Sequence, residues 1–168
     1  MIVTETIQPI YQEFNTKHSD ISKLENIIAV SNEPGVQMLP LYESKIKSHK
    51  GAVIAKLGDE VIGYCAITFD YGNTAEVGGL TVPKEYRKHG IGNGLVQSVT
   101  EKVHSIGKNA IAFCNPISAS LFENNGYYQA DYSEVPPEAL KQCSACTMKD
   151  LHKNGVCCDK VYLNMVGK

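Results

Sequence analysis

The sequence predicts a mixed α/β domain in which helices flank a mainly antiparallel sheet. Three observations predict it: a β-hairpin signature around Gly58-Asp59, a glycine-rich turn near Gly90 that converts a strand into an amphipathic helix, and a return to strand-like composition at Ala110 to Cys114.

The elements follow in order. From Ser19 or Asp20, either of them a good N-cap, Ile21, Leu24, Ile27 and Ile28 recur at helical spacing until Asn32 and the Pro34-Gly35 break. A shorter helix covers Leu41 to Ser48. Val53 to Leu57 and Val61 to Phe69, rich in β-branched and aromatic residues, then flank Gly58-Asp59 as a hairpin. Thr74 to Val82 is a third strand after a turn at Asp70 to Asn73, and Pro83 ends it because proline cannot extend the ladder. A helix from about Gly90 to Ser105 buries Leu95, Val96, Val99 and Val103 and stops at Gly107. Ala110 to Cys114 is a strand and Ile117 to Asn124 a helix closed by Gly126. Tyr127 to Tyr132 reads as a strand, Pro136-Pro137 starts a helical turn, and Val161 to Val166 is the last strand. No linker or repeat divides the chain, so residues 1–168 are expected to form one domain, with a cysteine-rich segment at about 136–168.

With 43% hydrophobic residues, 168 residues can bury a substantial core. Sixteen basic residues against 18 acidic ones give no dense positive field, which argues against nucleic acid as a partner. No apolar run approaches the roughly 20 residues a bilayer requires, and Met1-Ile2-Val3-Thr4-Glu5 has no basic, signal-like start. The expectation is a cytoplasmic monomer or homodimer that does not engage membranes.

Arg87-Lys88-His89-Gly90-Ile91-Gly92-Asn93-Gly94 places three glycines at alternate positions where a strand hands over to a helix. Each glycine inside a helix costs about 0.5–1 kcal/mol relative to alanine, so something is expected to approach this backbone closely. A helix N-terminus offers bare N–H groups to an anion, and Arg87, Lys88 and His89 add positive charge beside it. A pyrophosphate fits this description. No lysine followed by Ser or Thr closes the loop as a P-loop requires, and no parallel βαβ unit is expected to carry it as a dinucleotide fold does.

The pattern Arg87-x-x-Gly90-x-Gly92, preceded by Glu76-Val77-Gly78-Gly79-Leu80-Thr81-Val82, resembles the central motif of the GNAT superfamily of acyl-CoA-dependent N-acyltransferases. Asn115-Pro116 and the run from Ser120 to Tyr127 resemble the next motif of that family, so the likeness covers roughly Val53 to Tyr132. The resemblance implies acetyl-CoA as cosubstrate and a primary amine, more readily a small molecule than a protein lysine, as acceptor. It implies that backbone N–H groups from Lys88 through His89, Gly90, Ile91 and Gly92 to Asn93 receive the pyrophosphate. It also implies that the edge of Leu80, Thr81 and Val82 pairs with the pantetheine arm, and that Arg87 and Asn115 complete the cofactor contacts. Gly78-Gly79 would mark a bulge or a close ligand approach.

An amine with a pKa of about 10 arrives protonated at neutral pH, so transfer needs a base. Glu76 is the candidate, by its place on the strand leading into the loop; simple alternation would put it on one face with Gly78, Leu80 and Val82. The tyrosine that many family members use to protonate the departing thiolate is replaced by Phe122, while Tyr127 falls at a core-aromatic position. A non-catalytic acyl-CoA-binding sensor or structural module is the alternative reading that this replacement permits. Cys114 is expected to be a small buried hydrophobe.

Cys143-x-x-Cys146 and Cys157-Cys158 cluster in the tail. Lys153-Asn154-Gly155 is a turn signal that could bring the two pairs together on a structural zinc, with His152 as a spare ligand. Adjacent cysteines strain a tetrahedral site. Reduced thiols and a disulfide therefore stay open beside zinc.

Overall fold

The computed structural model describes residues 6–34, 38–145 and 160–167. The expected hairpin, third strand and central helix are all present, as β2 (Lys50–Leu57), β3 (Glu60–Asp70), β4 (Thr74–Thr81) and α3 (Ile91–Ser105). Before them lie β1 (Ile10–Phe14), α1 (Glu25–Ser31) and α2 (Glu43–Ser48). After them come β5 (Asn109–Cys114), α4 (Ala119–Asn124), β6 (Tyr128–Gln129), α5 (Pro137–Ser144) and β7 (Lys160–Asn164).

Among the described residues seven strands form one sheet in the order β1-β2-β3-β4-β5-β7-β6, with β4 and β5 parallel and every other neighbouring pair antiparallel. This is the mixed α+β architecture that the sequence predicts, with one correction: β4, α3 and β5 form a parallel strand–helix–strand unit around the glycine loop, which was expected to be absent, because the crossover through α3 brings β5 alongside β4 in the same direction. β1 is the addition. It lies at the sheet edge against β2, four of its five residues are exposed, and so it lacks the apolar alternation that would have revealed it. The first helix is also shorter than its periodicity suggests. Asp20 does cap Ser22 N–H, but the opening turn, Ile21–Leu24, is 3₁₀ and the α-helix begins at Glu25.

The strand alternation of the sheet divides the core into layers. On one face α3 seats Ile91, Leu95, Val96, Val99 and Val103 against Val53, Ala55, Ile62, Ala75 and Val77. Fully burying a Leu or Val side chain is worth about 1.5–3 kcal/mol, so this helix contributes one of the largest apolar terms in the fold. On the opposite face Ile27 and Ile46, from α1 and α2, join Leu24 and Leu41 over Ile54, Tyr64 and Ala66. Farther along that face Ala139 of α5 packs with Ile111, Val161 and Leu163. Helices therefore cover both faces and leave the middle of the sheet between two layers.

Candidate active site

The parallel ladder between β4 and β5 is short. Thr74 pairs with Asn109, Ala75 with Ala110 and Glu76 with Ile111, and there the pairing stops although both strands continue. From Val77 onward β4 presents a ladder edge across a wedge whose vertex is Glu76. Two parallel strands that diverge leave N–H and C=O groups with no partner in the sheet, which is how a backbone prepares an edge for an extended ligand.

A bulge shapes that edge. Ala66 pairs with Gly78 and Tyr64 with Thr81, so β4 carries an extra residue, and Gly79 adopts φ +65°. Glycine is needed there on two counts. The left-handed conformation is costly for any residue with a Cβ, and a Cβ would lie 3.3 Å from Tyr64 Cε1. The extra residue also corrects the simple alternation that grouped Glu76 with Leu80 and Val82. Leu80 and Val82 pack against the α3 layer, whereas Glu76, flanked by Ala75 and Val77 of that layer, points to the opposite face. Thr81 sends its hydroxyl to Gly79 O at 3.1 Å, bracing the bulge.

At the end of β4 the chain turns into the glycine loop. Arg87 Nε donates to Val82 O at 2.8 Å, tying the loop to the strand. Lys88 has φ 65°, the one positive φ among the described non-glycine residues, and Gly90, two positions on, caps α3 with φ 78°. Left-handed residues this close together are the means by which a backbone turns successive N–H groups toward one point. The first helical bond of α3 runs from Gly94 N–H to Gly90 O at 3.2 Å, so the N–H groups of Ile91, Gly92 and Asn93 precede the hydrogen-bonded turns. Open space lies before Gly90, where an added Cβ would meet nothing within 4 Å. The other two glycines have a different reason from the expected ligand approach. An added Cβ would come within 2.6 Å of Leu121 at Gly92 and 2.2 Å of Tyr11 at Gly94, so neighbouring side chains occupy those positions.

Across the wedge, Asn115 Oδ1 accepts from Ile117 N–H at 3.0 Å and Ser118 N–H at 2.9 Å, which starts α4. Its side-chain oxygen is thus used to hold the helix in place. Phe122 is buried, edge-on to Tyr127 with ring centroids 5.1 Å apart, and Tyr127 shares a 2.6 Å hydrogen bond with Thr100. Both aromatics are packing. Cys114 is fully buried, as expected, and burial pushes its thiol up to about 12.

On the face away from α3, Tyr71 donates to Glu76 Oε2 at 2.8 Å and stacks on Phe69 with ring centroids 6.1 Å apart. Phe69 is the cross-strand partner of Glu76. None of this was read from the sequence, although the turn at Asp70 to Asn73 could have placed Phe69 opposite Glu76. Farther along the same face, His49 Nδ1 and the Tyr64 hydroxyl are 2.8 Å apart in full burial, directly behind Gly79. Burial, helped by the charge of Lys45, lowers His49 to about 4, so it is neutral at ordinary pH.

The tail cysteines are not part of this picture. Cys146, Cys157 and Cys158, and the side chain of Cys143, lie outside the described residues. No group of His, Cys, Asp and Glu suited to a metal occurs among the described residues, and no helix there is long and apolar enough to cross a membrane.

Residues 8–127 match the acetyltransferase (GNAT) family. An uncharacterized N-acetyltransferase of Chlorobaculum tepidum is 25% identical over 149 residues, which span 89% of this chain and 92% of that protein. Among solved structures, N-acetylglutamate synthase from Neisseria gonorrhoeae, complexed with coenzyme A and N-acetyl-glutamate, superposes with a TM-score of 0.71 at 17% identity. That match covers 96% of this chain but 36% of the synthase. A Mycobacterium tuberculosis protein in complex with CoA superposes with a TM-score of 0.69 at 14% identity, over 94% of this chain and 99% of that one. The ribosomal-protein-S18-alanine N-acetyltransferase of Escherichia coli gives 0.58 at 14% identity, over 74% of this chain and 80% of that one.

Proposed function

The chain belongs to the acetyltransferase (GNAT) family, and from that premise we propose that it transfers the acetyl group of acetyl-CoA directly to the primary amine of a small molecule. The observation that carries this reading is the wedge, with the glycine loop on one side of the sheet and Glu76 at its vertex on the other. Two substrates that enter from opposite faces can meet at such an opening.

The loop suits a pyrophosphate. First-turn N–H groups of α3 supply donors, the helix dipole favours a negative charge, and the exposed Arg87, Lys88 and His89 surround the open space before Gly90. The stretch Leu80 to Val82, which has no strand partner on its β5 side, suits the amides of an extended pantetheine arm, leaving the thioester near Gly79. When bound, acetyl-CoA supplies the activated acyl group. Glu76 holds the amine and takes a proton from the ammonium, the amine nitrogen bonds the acyl carbon, the carbon–sulfur bond breaks, and CoA leaves as the thiolate, which is then protonated. Phe122 supplies no acid, so that last proton comes from elsewhere, and water is the economical source. Direct transfer is supported by Cys65 and Cys114, buried thiols pushed up to about 12 and hence poor nucleophiles.

Incubation with acetyl-CoA and a panel of primary amines tests the reading through release of free thiol. We expect acetyl-CoA-dependent release with at least one small amine, and a thermal shift on CoA binding. A chain that neither binds CoA at millimolar concentration nor releases it with any amine would refute the proposal.

A further inference from the structure

Two buried polar side chains lie behind the wedge, and the transfer as described leaves them unused. His49 and Tyr64, 2% and 0% exposed, sit on the face away from α3, with the imidazole Nδ1 2.8 Å from the phenolic oxygen. His49 ends α2 and its backbone is tied on both sides: its N–H donates to Ile46 O at 3.0 Å, and its C=O accepts from Thr16 Oγ1 at 2.8 Å. A phenylalanine opposite an apolar side chain would fill the same layer without taking polar groups out of water, and a neutral hydrogen bond adds little net stability. What such a bond does supply is direction, since a satisfied buried pair rigidifies the side chains that it joins.

Direction matters here because of what Tyr64 touches. It pairs with Thr81 across the bulge of β4, and a Cβ built on Gly79 would lie 3.3 Å from Tyr64 Cε1, 3.6 Å from His49 Cε1 and 3.8 Å from Leu41 Cδ2. The two rings, with centroids 6.1 Å apart and planes tilted by 31°, thus form with Leu41 a floor under the one residue of β4 that has a left-handed φ. The atoms nearest that position are ring and methyl carbons, so His49 and Tyr64 act on the backbone rather than through it. Two further contacts brace the same peptide groups. Thr81 Oγ1 donates to Gly79 O at 3.1 Å, and from the α3 side the buried Cys65 thiol donates to Gly78 O at 3.5 Å. The bulge is held from both faces, and the Tyr64 ring is its support on the face away from α3.

We infer that His49 and Tyr64 are a positioning pair for the transfer: the bond between them fixes the plane of the Tyr64 ring, and the ring fixes the Gly79 peptide beside the thioester. This rests on the acetyl-transfer reading, which brings the thioester to Gly79. Backbone that shifts under a reacting group misaligns it, and a displacement on the order of 1 Å can cost about a hundredfold in rate. The pyrophosphate and the pantetheine arm are held elsewhere, by the glycine loop and the edge from Leu80 to Val82. Loosening the pair therefore acts on the reacting end and spares the affinity for CoA.

The test uses the double variant Tyr64→Phe/His49→Leu, in which both polar partners become apolar and no buried group is left unpaired, so Tm should change little. With the best acceptor of the amine panel, kcat/KM for acetyl-CoA should fall by about ten- to hundredfold, while the Kd for CoA, measured by calorimetry, stays within about twofold of the wild type. His49→Asn, whose side-chain amide keeps a hydrogen-bonding group near the place of Nδ1, should restore kcat/KM to within about threefold. Should the double variant fail to fold, Tyr64→Phe alone keeps the ring and should lower kcat/KM by about three- to tenfold. A pair with only a structural role would lower Tm and leave the kcat/KM of the folded chain unchanged. That result, or an equal loss in His49→Asn and the double variant, overturns the inference. A wild-type chain that binds acetyl-CoA but transfers to no amine would instead sink the acetyl-transfer reading, and this inference with it.

Discussion

Phe122 and Glu76 show what single residues reveal before a structure is known and what they conceal. The replacement of the tyrosine acid by phenylalanine was legible, because it is a matter of residue type at a motif position, and the buried T-shaped contact with Tyr127 accounts for Phe122 as packing. Glu76 was legible as a candidate base, but its surroundings were not. Tyr71, Phe69, Thr68 and Gly78 come to it through cross-strand register and two bulges, and bulges change register without any periodic signal in the chain. The Tyr71 hydroxyl orients the carboxylate from 2.8 Å while its ring stacks on Phe69. Tyr71→Phe keeps the ring and removes that hydrogen bond. We expect kcat to fall by about three- to tenfold, the energy of one hydrogen bond to a charged group partly offset by water, with the KM for acetyl-CoA unchanged. Steady-state kinetics check this, and an unchanged kcat would show that Glu76 needs no such support.

At the scale of elements, the glycine loop was recognised for the right conformation but partly for the wrong neighbour. Close approach does explain Gly92 and Gly94, yet the groups that approach are Leu121 and Tyr11, long-range contacts that the spacing of glycines cannot specify. Gly90 is the position that faces open space. Gly90→Asp should therefore be the discriminating substitution, since aspartate tolerates a left-handed backbone better than most residues while placing a negative charge on the anion site. We expect a stability cost near 1 kcal/mol by denaturant titration and loss of the CoA-induced thermal shift. A retained shift would move the pyrophosphate away from this loop. The bulge of β4 gives a second element-level expectation. Gly79→Ala combines φ +65° with a 3.3 Å approach to the Tyr64 ring, which the hydrogen bond to His49 holds in place. It should cost about 1–3 kcal/mol and raise the KM for acetyl-CoA, and near-wild-type values for both would show that the bulge is not required.

At the scale of the whole molecule, the order of helices and strands and the mainly antiparallel sheet were legible from periodicity, glycine and proline, because buried faces impose their period on the chain. The edge strand β1 was not, since a strand with one neighbour and four exposed residues has no buried face to record. The two helical layers bury one ionisable pair deeply, and it makes global stability depend on pH. His49 is lowered to about 4 from an ordinary value of 6.5, so the unfolded chain binds this proton more readily. The contribution is fully present above about pH 6.5 and is lost progressively as pH falls toward 4, amounting to roughly 3 kcal/mol at most. Urea unfolding at pH 7.5 and 4.5 should show a smaller difference between the two pH values in His49→Gln than in the wild type, and parallel losses would contradict this assignment. The central claim is that the sheet opens at Glu76 so that this carboxylate relieves the acceptor of its proton. Its most direct test is the pH profile of turnover for Glu76→Gln beside the wild type, with acetyl-CoA saturating and affinity for CoA measured in parallel. The account predicts intact CoA binding and a deficit of roughly 10²–10⁴-fold near pH 7 that narrows as pH approaches the pKa of the amine, about 10, where the acceptor arrives deprotonated. Near-normal turnover by Glu76→Gln at pH 7 would contradict it.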